Sequence, residues 1–360
     1  MKKTYRSAVL FILALVATLL AAAFAFRAPI SMAIAGKVAA YRLAADAMND
    51  LPDGLHVGLC GAGSPFPDDK RTGPCTLVVA GKRLFVVDSG SGSVRNIGKM
   101  GFQHGRIHAI LLTHFHSDHI DGLGELLLQR WGSAANTSPV PVYGPAGVQT
   151  VLAGFMQAYS QDQGYRVAHH GEGVVPAGGF GGKAVPFTPG ADGRVAVLKD
   201  ADLEIIAFTV DHDPVHPAVG YRFVYKGRSV VISGDTKKSA AVQREAAGVD
   251  LLVHEALSGP LTSLLKDGAI KAGRMNLAKI FDDIPNYHTS PEEAAETARD
   301  AKVRYLLLNH IAPPLPLPGL EKAFLGQAPH IYSGPIRIGV DGDFVSLPAA
   351  SSDIKVSRRF

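Results

Sequence analysis

Short apolar stretches recur along the chain, and polar residues close most of them. The stretches at 56–60, 76–80, 84–87, 109–112, 140–143, 195–198, 204–210, 221–225, 230–232, 251–253 and 305–308 are rich in Val, Ile, Leu, Phe and Tyr. Bounded by Gly, Pro, Asp or Asn, they predict short strands. Gly81-Lys82 and Lys226-Gly227 predict turns between neighbouring strands, and Asp341-Gly342 predicts a hairpin. Helix-permissive segments lie at 123–131, 148–159, 240–247 and 261–281, the last readable as a lid or interface. Ser290-Pro291-Glu292-Glu293 opens another helix, with Ser at the cap, Pro at the first position and carboxylates in the first turn. Residues 169–190 are rich in Gly and Pro and read as a long loop. Strands and hairpins come first and helices follow, a mixed α+β pattern rather than strict alternation.

The polar residues that close the strands are the informative ones. Asp88, the run His114 to His119, His212, Asp235, His254-Glu255 and His310 each follow or end an apolar stretch. Side chains collected at the ends of several strands are how a sheet presents a site. The densest cluster is Thr113-His114-Phe115-His116-Ser117-Asp118-His119. In an extended segment His114 and His116 point the same way, and Asp118 and His119 follow where the chain turns into a helix. Imidazoles and a carboxylate at that density are costly unless a cation compensates them. The donor set suits zinc and could also suit iron or manganese.

The N-terminus stands apart. Lys2, Lys3 and Arg6 precede an apolar run at 8–26, the layout of an export signal, with Ala23-Phe24-Ala25 as a cleavage-type site. The run is also long enough to be an uncleaved anchor. Either reading expects residues 1–26 to deliver the body of the protein out of the cytoplasm, periplasmic or extracellular. Residues 27–52 are Ala-rich and read as a helical spacer, and 53–350 as the main domain. Composition adds little: 360 residues, 47% hydrophobic and 19% charged, can build a large core. The formal net charge is only +4 and no Lys/Arg stripe is interleaved with aromatics, so nucleic acid is not an expected partner. The two cysteines, Cys60 and Cys75, either pair in an oxidising compartment or stay as buried thiols.

Taken together, the motifs resemble those of a metallo-β-lactamase-superfamily hydrolase, in its ribonuclease Z and arylsulfatase-type branch. The resemblance rests on H-x-H-x-D-H at His114–His119, Asp211-His212 with Gly220-Tyr221, Ser233-Gly234-Asp235-Thr236, His254-Glu255-Ala256, His288-Thr289-Ser290 and Asn309-His310. It implies a four-layer αβ/βα sandwich, two facing β-sheets with helices outside. It implies two Zn2+ ions, one held by His114, His116 and His212 and one by Asp118, His119 and His310, with Asp235 bridging. Asp118, His288 and Glu255 are the implied catalytic residues, with His288 the proton donor and Glu255 orienting it. Asp88 reads as an acceptor behind a ligand rather than a ligand, and His216 competes with His212 for its position. His169 and His170 could line the pocket or face solvent.

The implied reaction is hydrolysis of a phosphodiester or an aryl sulfate ester, by hydroxide generated at the metals. Transfer-RNA processing is not expected, because those precursors are cytosolic and no basic arm is visible; the expected partner is a small-molecule ester. The membrane is expected to be met only through the N-terminal segment, and a homodimer is left open. Lactone or β-lactam hydrolysis, or an iron-dependent thiol dioxygenase on the same ligands, are the alternatives.

Overall fold

The computed structural model describes residues 2–360 and divides the chain into two compact units, the first ending at Asp46 and the second running from Ala47 to Phe360. The first unit is two helices, Lys2–Ala25 and Arg27–Ala44. Within the former, Tyr5–Ala25 is long and apolar enough to cross a membrane, with a mean hydropathy of 2.7.

The second unit is a pair of sheets. Six strands come first: β1 (Gly54–Gly61), β2 (Cys75–Ala80), β3 (Arg83–Val87), β4 (Ile107–Leu111), β5 (Val140–Pro145) and β6 (Gly182–Phe187). Seven follow: β7 (Arg194–Lys199), β8 (Leu203–Thr209), β9 (Val219–Tyr225), β10 (Arg228–Ile232), β11 (Leu251–Leu257), β12 (Leu306–Ala312) and β13 (Ile336–Ile338). The last two, β14 (Asp343–Pro348) and β15 (Lys355–Arg358), return to the first sheet. The sheets run β15-β14-β1-β2-β3-β4-β5-β6 and β13-β12-β11-β10-β9-β8-β7.

Alternation of side chains along the strands explains the layering. Val78, Phe85, Val87, Ala109 and Leu111 point at the second sheet and meet Ile205, Phe223, Val230, Ile232 and Val253. Their neighbours Leu77, Val79, Leu84, Val86 and Ile110 point the other way, onto the helices that carry Val94, Ile97, Leu123 and Leu126. Val231, Leu252, Leu306 and Leu308 do the same for the second sheet, against Val242, Ala294, Ala295 and Ala298. Strands covered on both faces read as continuous apolar runs, which is why their alternation is invisible in the sequence. The outcome is the four-layer sandwich that the motifs implied.

Direction matters more than order for the site. β3, β4 and β5 are parallel neighbours, as are β10, β11 and β12. β8 pairs antiparallel with β9, and β9 antiparallel with β10, so β8 also runs with β10. β3, β4, β5, β8, β10, β11 and β12 deliver their C-terminal ends to one edge of the sandwich, while β9 runs the other way.

Four expectations change. The helix expected at 148–159 continues to His170, and β6 lies inside the expected loop 169–190. Among its residues only Val148 and Leu152 are buried, so most of its length carries no apolar stripe. Asp341-Gly342 does not close a hairpin, because β13 and β14 on either side belong to different sheets. The segment 261–281 is two helices, Gly259–Lys271 and Met275–Asp283.

Candidate metal centre

The first half of the site begins where β4 leaves its sheet. Thr113 is caught by Asp88, which accepts the Thr113 N–H at one carboxylate oxygen and the hydroxyl at the other, both at 2.8 Å. With its proton given to Asp88, the Thr113 hydroxyl accepts the Nδ1–H of His114 at 3.0 Å. Asp88 also accepts the Nδ1–H of His119 at 2.9 Å. Both rings are therefore locked with Nε2 turned away from these partners, the arrangement that orients metal-binding imidazoles. Asp88 holds this position with a φ of 59°, left-handed backbone that is uncommon for a residue with a side chain. His119 lies in the short helix Ser117–Ile120, and Asp118 precedes it.

The second half comes from the other sheet. His212 follows the end of β8 and donates Nδ1–H to the carbonyl of Tyr287 at 2.9 Å, which leaves its Nε2 3.5 Å from Nδ1 of His116. His216, the competing candidate, is exposed and paired with Asp213. Asp235 lies just past β10 and is almost fully buried. His310 sits inside β12, at an irregularity: Glu255 faces Asn309, Ala256 faces Ile311, and His310 is passed over. It is a bulge residue with φ 47°, and the bulge turns its ring into the site.

One carboxylate oxygen joins the halves. Asp235 Oδ2 lies 3.2 Å from His119 Nε2, 3.3 Å from His310 Nε2, 3.8 Å from His114 Nε2 and 3.9 Å from His212 Nε2. Asp118 Oδ2 is 3.2 Å from His310 Nε2 and 3.6 Å from His119 Nε2. Donor atoms of His114, His116, His212 and Asp235 lie within 4.8 Å of one another, and so do those of Asp118, His119 and His310.

The charges show what this cluster requires. Burial, with its neighbour His119, holds His114 well below the ordinary histidine range, and its buried Nε2 has no hydrogen-bond partner. Burial acts downward on His119 and His310 as well, but Asp235 and Asp118 outweigh it, raising His119 well above its ordinary range and His310 to about 9. In return, burial pushes Asp235 up, yet His119 and His310 bring it well below the carboxylate range. Two buried carboxylates thus demand positive charge, which His119 and His310 can supply as protonated rings or a metal cation can supply in their place, while His114, His116 and His212, held below their ordinary range, have electron pairs to donate. Nitrogen and oxygen donors in two adjoining groups fit a pair of divalent cations.

Beside the two groups stands His288. Its Nδ1 is 2.9 Å from Glu255 Oε1, which also accepts the backbone N–H of Thr236 at 3.0 Å. Glu255 is buried, and one of its oxygens is otherwise unpartnered. A donor atom of His288 lies within 4.8 Å of those of Asp235 and His310. A cavity of about 220 Å³ opens there, lined by His116, Asp118, Asp235, His288 and His310 on one side and by Ser64, Pro65, Phe66, Ile284 and Tyr287 on the other.

All nine residues singled out in the sequence for metal binding or catalysis thus converge: His114, His116, Asp118, His119, His212, Asp235, Glu255, His288 and His310. His169 and His170 do not; they end an exposed helix. Cys60 and Cys75 form a disulfide. Nothing in the sequence assigned a role to Thr113, to Tyr287 or to the loop 61–74. Tyr287 acts through its carbonyl, which sequence cannot flag, although its place next to His288 was a hint.

The fold and this edge define a class. The Beta-lactamase superfamily domain matches residues 87–311, and the chain belongs to the metallo-β-lactamase superfamily, in its ribonuclease Z branch; it is a metal-dependent hydrolase acting on ester bonds. The chain is 38% identical over 289 residues to ribonuclease Z of Mycolicibacterium gilvum, covering 80% of this chain and 94% of that one. It is 36% identical over 299 residues to ribonuclease Z of Mycolicibacterium paratuberculosis, covering 82% of this chain and all of the other. Human tRNase Z, short form, shares the fold, with a TM-score of 0.57 and 20% identity over 81% of this chain and 99% of that one. A metallo-β-lactamase fold protein of Bacillus subtilis, YhfI, has a TM-score of 0.58, also at 20% identity, covering 82% of this chain and 100% of that one.

These relatives overturn one expectation. A small-molecule ester with nucleic acid excluded does not stand when relatives at 36–38% identity are named as ribonucleases. The exclusion rested on whole-chain charge, on the lack of a visible basic arm and on the expected export away from cytosolic tRNA precursors. Cations held at the scissile phosphate can supply locally the positive charge that a charge count looks for in Lys and Arg.

Proposed function

We propose that the chain hydrolyses phosphodiester bonds of RNA at a two-zinc centre. His114, His116 and His212 would hold one ion, Asp118, His119 and His310 the other, and Asp235 would bridge them. The observation that carries this is the position of Asp235 Oδ2, within 3.9 Å of imidazole nitrogens from both groups. Two such ions supply Lewis acidity toward the phosphoryl oxygens and lower the pKa of water toward neutrality.

The chain's own residues do the rest. Asp88 and Thr113 fix the tautomers of His119 and His114, and the Tyr287 carbonyl fixes that of His212. His288, with Nδ1–H held by Glu255, presents Nε2 to the cavity and delivers a proton there to the departing alkoxide. Glu255, buried beside it, accepts that Nδ1–H and fixes the direction of the ring. Pro65, Phe66 and Ile284 form the apolar part of the wall around the reacting group.

The test is a panel of substrates for the zinc-loaded protein: a 3′-extended RNA, an aryl phosphodiester, an aryl sulfate, a lactone and a β-lactam. Cleavage of the RNA and the phosphodiester is expected. Turnover of the lactone and lactam alone overturns the reading, and turnover of the sulfate alone moves the substrate to sulfate esters. Metal analysis giving one iron per chain, with oxygen uptake, would replace hydrolysis by oxidation.

We also propose that the body of the protein works outside the cytoplasm. The apolar helix Tyr5–Ala25 and the Cys60–Cys75 disulfide both support it. A periplasmic reporter fused after Phe360 that stays inactive would remove this reading.

A further inference from the structure

The loop between β1 and β2 is fastened at every level. The Cys60–Cys75 disulfide closes its base. Above it the Asp341 carboxylate accepts from the N–H groups of Ala62 and Thr72, one on each limb, both at 2.9 Å. Gly63 N–H donates to the Thr72 carbonyl at 2.8 Å. Ser64 Oγ donates to the carbonyl of Ile311 at 3.1 Å, which ties the loop to the residue after His310. On the other limb Arg71 is held by Asp68 and by the carbonyl of Gly339.

At the tip of this rigid loop, between Pro65 and Pro67, stands Phe66. It is only partly buried, and among the described residues it belongs to none of the four buried apolar clusters. Its ring lies 5.9 Å from that of Phe281, on the helix Met275–Asp283. Phe66 lines the 220 Å³ catalytic cavity and also an adjoining one of about 380 Å³. The two cavities share Ser64, Pro65, Phe66, Ser117 and Asp118, so Phe66 forms a ridge beside the metal ligands with space on either side. An aromatic ring that contributes to no core, at the tip of a loop whose two limbs are anchored by these hydrogen bonds, is positioned for something outside the fold.

We propose that Phe66, backed by Phe281, is a stacking platform for the nucleobase next to the scissile phosphate. The assignment rests on the phosphodiesterase reading and adds to it the part of the substrate that the loop selects. Stacking on a ring accepts any base face and is indifferent to base identity. Phe66 is thus a specificity-determining residue for flat rings as a class, not for one sequence.

The experiment compares AMP with ribose 5-phosphate, which differ by the base alone, in calorimetric titrations of the zinc-loaded full-length protein. AMP binds the wild type about 10- to 100-fold more tightly. Phe66→Ala and Phe66→Leu bring that preference to within about 3-fold, and Phe66→Trp keeps it. Ribose 5-phosphate binds all four proteins alike, which also reports that the variants are folded and loaded. Equal binding of the two ligands by the wild type, or a preference that survives in Phe66→Leu, overturns the proposal. Failure of the function is read separately: a wild type that cleaves no RNA but shows the preference, lost in Phe66→Ala, keeps the platform and removes the reaction. RNA cleavage with an unchanged KM in Phe66→Ala removes the platform and keeps the reaction.

Discussion

Asp88 belongs to neither group of candidate metal donors, yet three hydrogen-bond donors converge on it: the N–H and hydroxyl of Thr113 and the Nδ1–H of His119. Asp88→Asn keeps the size and tolerates the left-handed φ of 59°, since Asn is at home in that region. It loses the charge, and its NH2 group faces a donor. Zinc affinity measured by chelator competition should fall by about 10- to 100-fold with the fold retained; unchanged affinity would mean that the ring orientations are set elsewhere. His288→Asn makes a different case. Metal content should stay at the wild-type level while kcat drops by about 10²- to 10⁴-fold. The loss should be largest for RNA, whose alkoxide leaving group needs a proton, and smallest for a nitrophenyl ester, whose phenoxide does not. An equal loss on both substrates would assign His288 to binding.

Local sequence fixes some of these elements and not others. The run His114–His119 was legible because it is contiguous and follows a strand. His310 was legible by its place after an apolar stretch, but its bulge was not: the partner β11 shows no special residue where the register slips between Glu255 and Ala256. The helix Val148–His170 was cut short in the reading because its second half is exposed and leaves no period to read. Asp341-Gly342 looked like a hairpin because a turn signal gives a change of direction, not the sheet in which the next strand lands. The helix Pro291–Asp300 was legible at its start, and the capping box is complete: the Ser290 hydroxyl accepts from Glu293 N–H at 3.2 Å and Glu293 accepts from Ser290 N–H at 2.9 Å. That start also sets where His288 stands, two residues upstream. Ser290→Ala should lower stability by about 1 kcal/mol in denaturant melts. A drop in kcat well beyond that in KM would show that the cap also holds His288 in place.

At the scale of the whole body, the centre lies between two sheets that share no edge. His114, His116, Asp118 and His119 are delivered by the first sheet, and His212, Asp235 and His310 by the second. Donors from both sides would make bound ions a cross-link over one end of the sandwich, in addition to the apolar layer between the sheets. Ions that bind the folded chain alone stabilise it by about 4 kcal/mol when free metal stands at a thousand times the dissociation constant. Chelation should therefore lower the thermal midpoint, and adding zinc back should restore it. Asp235→Ala removes the oxygen that serves both groups, so its midpoint should respond much less to zinc. The disulfide acts at another place and by another cause: it closes a separation of 15 residues, and its removal in Cys60→Ala/Cys75→Ala should cost about 3 kcal/mol through the unfolded chain. Because the two effects have separate origins, the shift on chelation should be nearly the same with and without the disulfide. A chelation shift that vanishes in the cysteine double variant would mean that the loop 61–74, and not the pairing of the sheets, is what the metals hold in place.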